Sequence, residues 1–166
     1  MANFELVFAY GASDAAWLQE QGYPHPAVQQ GNEMPTTADM KWALEAEEGF
    51  SFEYPQADEE LSGEDEAGSG FSISGFDWDE DCTIPGDSFI LRGSGIILSV
   101  LIRLCERCGQ LYLYPDSGAP AIVLDASLNP VAVAELYAEA DDQEDAWAYF
   151  FQKMYGPGGA TMDESG

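Results

Sequence analysis

Apolar residues in this chain fall alternately into runs of the kind strands make and spacings of the kind helices make. Phe4-Glu5-Leu6-Val7-Phe8-Ala9-Tyr10 is a β-branched and aromatic run stopped by Gly11, which predicts a strand. Ser13 is placed to cap a short helix from Asp14 to Gln21, closed by Gly22. After a Pro24-His25-Pro26 loop, Thr36 and Asp39 have the spacing of a capping box. They open a helix that carries Met40, Trp42 and Leu44 and ends at Gly49. Phe50-Ser51-Phe52-Glu53-Tyr54 and Phe71-Ser72-Ile73-Ser74-Gly75-Phe76 alternate apolar with polar, the period of a half-buried strand. The two are expected to pair across residues 56–70, a stretch with six acids plus Gly63, Gly68 and Gly70 that reads as a mobile loop.

Ser88-Phe89-Ile90-Leu91-Arg92 predicts a further strand, and Gly93-Ser94-Gly95 leads from it into a helix from Ile96 to Cys108. Ile97, Val100, Leu101 and Leu104 share one stripe of that helix, and Gly109 stops it. Leu111-Tyr112-Leu113-Tyr114 and Ala121-Ile122-Val123-Leu124 flank a turn from Pro115 to Pro120 and read as a hairpin. Asn129-Pro130 caps a helix to about Ala140. The acids from Asp141 to Asp145 then start a last helix bearing Trp147, Phe150, Phe151 and Met154. These elements describe a single α+β domain over residues 1–157, a mostly antiparallel sheet packed against about four to five helices. Residues 158–166 read as a frayed tail.

Charge changes the picture more than composition does. Hydrophobic residues make up 46% of the 166, enough for a packed core, yet the formal net charge is −26. Fifteen of the 31 acids lie between Asp39 and Asp81 against one basic residue, Lys41, and six more lie between Glu135 and Asp145. Nucleic acid and anionic membrane are disfavoured as partners, because affinity for phosphate comes from Lys and Arg. A basic protein surface is favoured and would be steered towards the chain at low salt. Asp58, Glu59, Glu60, Glu64, Asp65, Glu66, Asp77, Asp79, Glu80 and Asp81 are the candidate partner-binding carboxylates, with Trp78 as a candidate anchor among them. No basic region precedes the first apolar residues and no apolar run reaches a bilayer span, so a cytoplasmic location with reduced thiols is expected.

The motifs with chemical potential are weak. Cys105-Glu106-Arg107-Cys108 is a C-x-x-C, but it closes a helix, whereas a redox pair opens one, and only Cys82 and His25 remain as further ligands. Asp77, Asp79 and Asp81 begin like a calcium loop, but Cys82 and Ser88 stand where Gly and Glu are required. His25, the only histidine, lies between two prolines with no nucleophile motif nearby. Gly93-Ser94-Gly95 lacks the lysine of a phosphate-binding loop. No catalytic residue, cofactor or metal is expected, and binding is favoured over catalysis.

From Gly93 to Leu124 a glycine turn leads to an apolar helix ending Cys-x-x-Cys-Gly, then Leu-Tyr-Leu-Tyr-Pro-Asp-Ser-Gly and a short strand. With the small acidic chain, this resembles immunity proteins of bacterial type VI secretion and polymorphic-toxin systems. The resemblance implies binding to a cognate toxin and occlusion of its active site, and the acidic surface suits a toxin that is itself basic, such as a nuclease. The alternative expectation is a DNA mimic that inhibits restriction or other DNA-binding enzymes through regularly spaced carboxylates.

Overall fold

The computed structural model describes residues 5–93, 97–115 and 119–156. The expected turn at Ser94-Gly95, the side chain of Ile97, the middle of the 115–120 turn and the tail from 158 lie outside the described residues. The elements are β1 (Glu5–Ala9), α1 (Ala12–Glu20), α2 (Thr37–Glu45), β2 (Phe50–Phe52), β3 (Leu61–Asp65), β4 (Gly70–Ser74) and β5 (Phe89–Gly93). They continue with α3 (Ile97–Cys108), β6 (Leu111–Pro115), β7 (Ile122–Leu124), α4 (Pro130–Asp141) and α5 (Ala146–Tyr155). The fold is α+β, as the hydrophobic pattern predicts.

Seven strands form one antiparallel sheet in the order β2-β3-β4-β5-β1-β6-β7. The first strand in sequence is therefore interior to the sheet, with Val7 opposite Phe89 on β5 and Leu113 on β6. α3 makes the crossover from β5 to β6, and its Val100, Leu101, Leu104, Cys105 and Cys108 are buried. That stripe matches the helical spacing read from the sequence. α2 packs on α3, α4 on α3, and α5 on α4.

Helix starts follow local chemistry. The Thr36 hydroxyl accepts from the Asp39 N–H while the Asp39 carboxylate accepts from the Thr36 N–H, the reciprocal pair that satisfies two otherwise orphaned donors. Asn129 caps α4 ahead of Pro130, and Asp145 caps α5. α1 begins at Ala12 and not Asp14, with Gly11 as its N-cap in place of Ser13; the Asp14 carboxylate accepts from the Gly11 N–H. α2 ends at Glu45, short of Gly49.

Two expectations are corrected. Residues 56–70 are not all loop: Leu61–Asp65 is β3, and it separates β2 from β4, which do not pair with each other. β3 escapes a sequence reading because it presents one apolar side chain to the core. Leu61 is fully buried, while its next core-facing position is Gly63. A side chain there would meet the Phe71 ring and the Ser51 carbonyl at 2.7 Å. The second correction concerns Trp78, which is 2% exposed and belongs to the core.

Alternation along paired strands assigns two faces to the sheet. Leu61, Phe71, Ile73, Phe89, Leu91, Val7, Leu111 and Leu113 share one face, and all are buried. On the other face, Ser62, Glu64, Ser72, Ser74 and Arg92 give way to Leu6, Phe8, Tyr112 and Tyr114. At the β7 edge, the Tyr155 hydroxyl donates to the Val123 carbonyl at 2.7 Å and accepts from the Val123 N–H at 2.8 Å. The outward-facing groups of that edge strand are thereby satisfied inside the chain.

Candidate functional site

Trp78 gathers the expected carboxylates by what its indole and backbone hold. Its ring lies 5.4 Å from Phe76 and 5.5 Å from Tyr54, measured between centroids. Its indole N–H donates to the Glu59 carbonyl at 3.0 Å and its backbone N–H to the Ala57 carbonyl at 2.7 Å. The Asp79 carboxylate accepts from the Ala57 N–H at 2.9 Å. Residues 57–60 are thereby bound to residues 77–81, and two acidic stretches separate in sequence become one ledge. The base of this ledge is fastened to α2, since Thr37 donates its hydroxyl to the Asp77 carbonyl and Ala38 its N–H to the Asp81 carbonyl.

The expected carboxylates differ in what they do. Asp77 accepts from the Asp79 N–H, Asp81 pairs with Lys41 at 2.8 Å, and Glu60 pairs with Arg92 at 3.4 Å. These side chains hold the ledge in shape. Asp58, Glu59 and Glu80 are exposed and enter no ion pair among the described residues, so they carry the charge a partner would meet. Glu64, Asp65 and Glu66 are not part of this group. They sit at the far end of β3, where Asp65 holds the β3–β4 turn by accepting from the Ala67 and Ser69 N–H groups.

The weaker motifs are absorbed by packing. Cys105 and Cys108 are buried, and burial pushes the Cys108 thiol up to about 12 and the Cys105 thiol higher still. This is opposite to the lowered value that a reactive thiolate needs. No group of three or more His, Cys, Asp or Glu placed to hold a metal ion occurs among the described residues. The His25 ring nitrogen Nδ1 lies 2.9 Å from the Tyr23 carbonyl in the loop after α1. That loop is tied to the sheet by buried Gln110, which accepts from the Gln29 N–H and the Asn32 amide and donates to the Ala27 carbonyl. No described helix is long and apolar enough to cross a membrane.

A feature the sequence reading missed lies on the second sheet face. Phe8 of β1, Tyr112 and Tyr114 of β6, and Asp14 and Trp17 of α1 line a groove of about 280 Å³. Phe8 and Tyr112 are opposite each other on neighbouring strands with centroids 5.4 Å apart, and Tyr112 stacks with Tyr114 at 6.4 Å. Trp147 of α5 closes one side, 5.5 Å from Trp17 and 6.3 Å from Tyr114. Trp17 and Tyr114 remain 42% and 41% exposed, which leaves their rings available to a ligand. Burial pushes the Asp14 carboxyl above its usual value, opposed by the hydrogen bond from Gly11. The available signal was the two-residue spacing of Tyr112 and Tyr114, which places both rings on one face.

Compared with protein-family models, curated proteins and solved structures, the chain matches none.

Proposed function

We propose that this chain is an immunity protein that binds a basic toxin and blocks its active site, with the Trp78-centred ledge as the contacting surface. The observation that supports this reading best is that Asp58, Glu59 and Glu80 stand exposed on backbone held by Trp78 and Asp79. A backbone already fixed before contact loses little conformational freedom on binding, so more of the electrostatic attraction reaches the affinity. A nuclease is the toxin class with the fitting chemistry, since its cleft must be positive to hold phosphate. Trp78 acts as the frame beneath the carboxylates and not as an anchor inserted into the partner.

The test is capture of the partner from a lysate of the source organism by tagged protein, at low and then moderate salt, read by mass spectrometry. One stoichiometric basic partner that survives moderate salt is expected. The triple variant Asp58→Lys, Glu59→Lys, Glu80→Lys, which leaves the ledge's internal bonds in place, should lose it. Undiminished capture by that variant would move the interface elsewhere. A scatter of unrelated DNA-binding proteins that wash away with salt would overturn the immunity reading in favour of DNA mimicry.

A further inference from the structure

Twice within this fold, a cation is held between an aromatic ring and a carboxylate. The Arg107 guanidinium lies 4.1 Å from the Trp42 ring centroid and 3.5 Å from the Asp39 carboxylate. The Lys41 ammonium lies 5.2 Å from the Tyr54 ring centroid and 2.8 Å from the Asp81 carboxylate. The groove between α1 and the sheet brings the same two kinds of group together with more aromatic surface: Phe8, Trp17, Tyr112 and Tyr114 line it along with Asp14. The chain has five Lys and Arg residues in all. Four of them pair with Asp81, Glu60, Glu47 and Asp39, and the fifth, Lys153, lies over the Tyr149 ring. Among the described residues, no ion pair joins any of them to Asp14.

We propose that this groove receives an arginine side chain from the protein's basic partner, the guanidinium stacking on Trp17 and Tyr114 and facing the Asp14 carboxylate. Aromatic faces attract a cation through their quadrupole, and a planar, weakly hydrated guanidinium stacks on them better than an ammonium does. A groove of about 280 Å³ has room for an arginine side chain. The walls are preset by packing, since Tyr112 is buried against Phe8 and Tyr10, and Trp147 fixes both Trp17 and Tyr114. Asp14 is likewise fixed, because one of its oxygens accepts from the Gly11 N–H at 2.9 Å. The groove is a site of recognition separate from the ledge, and it depends on the basic-partner reading only for the source of the arginine.

The test needs no partner. Blocked Gly-Arg-Gly peptide is titrated into the full chain, and amide and indole chemical shifts are followed by NMR. Saturable shifts confined to Trp17, Tyr112, Tyr114 and their neighbours are expected, with blocked Gly-Lys-Gly clearly weaker. Asp14→Asn, which keeps an oxygen for the Gly11 N–H, and Trp17→Ala should each weaken binding on the order of tenfold. Because Asp14→Asn removes one unit from a net charge of −26, general attraction to a polyanion would hardly change. Shifts spread over residues 58–81 and indifferent to both variants would overturn the groove. Equal binding of the lysine peptide would overturn the assignment to arginine. Failure here with successful capture by the ledge would leave the proposed function standing, and the reverse result would isolate the groove as the surviving site.

Discussion

At the β6–β7 end the sheet is covered on both faces, by α3 on one side and by α1, α5 and their rings on the other, whereas at the β3–β4 end only one face is covered. The strands record the difference. All three residues of β7 are buried, as are Leu111, Tyr112 and Leu113 of β6. Along β4 the buried Phe71 and Ile73 alternate with Ser72 and Ser74, and along β3 Leu61 alone is buried, beside exposed Ser62 and Glu64. Continuous burial holds strands by contacts on every side and leaves a partner only the rim where Tyr114 and Trp17 stay exposed. One-sided burial leaves a polar face whose residues contribute little to the fold and are free to serve binding. The aromatic groove lies at the border, where the covering helices begin.

The sharpest way to break this comparison is at the second cover. Phe151 of α5 is fully buried and stacks on Tyr23 at 5.5 Å. Phe151→Ala should cost about 3–5 kcal/mol, read by urea denaturation. A cost near that of a surface substitution would mean that α5 is not part of the core. Tyr155→Phe should cost about 1–3 kcal/mol, because it leaves the Val123 N–H and carbonyl without their common partner.

Alkaline pH probes the same end without mutation. Burial pushes Tyr10 from 10.0 to about 12 and Cys108 from 9.0 to about 12. Above pH 9 the unfolded chain therefore releases protons that the folded chain retains. The stability these groups contribute is fully present below pH 9 and is lost as pH rises towards 12, so the urea midpoint should fall over that window. The smallest effect belongs to the open half. Ser72→Ala should change stability by less than about 0.5 kcal/mol. A larger loss would show that something covers this face.

How much of this was legible in the sequence follows from the same contrast. The β6–β7 hairpin, α3 and the capped starts of α2 and α4 each carry a strong local signal, such as a dense apolar run or a reciprocal cap. β3 does not, because its apolar share is borne by Leu61 while Gly63 yields its space to Phe71. The ten candidate carboxylates were identifiable from charge alone, but their division into ledge and β3–β4 turn was not. That division depends on the Trp78 indole reaching the Glu59 carbonyl, a contact between residues 19 apart. The aromatic groove draws on β1, α1 and β6, and no window along the chain contains all three.

The interior placement of β1 also orders the fold in time. Residues 5–9 are made before both strands they pair with, and Val7 meets Leu113 and Phe89 only when those later strands exist. On a growing chain, β2, β3 and β4 can assemble as neighbours while β1 still waits with both of its edges open. Folding that ends in such distant pairings is slow compared with local hairpin closure. Until β5 and β6 are both made, β1 lacks the two strands that flank it in the fold, and Val7 lacks the neighbours that bury it.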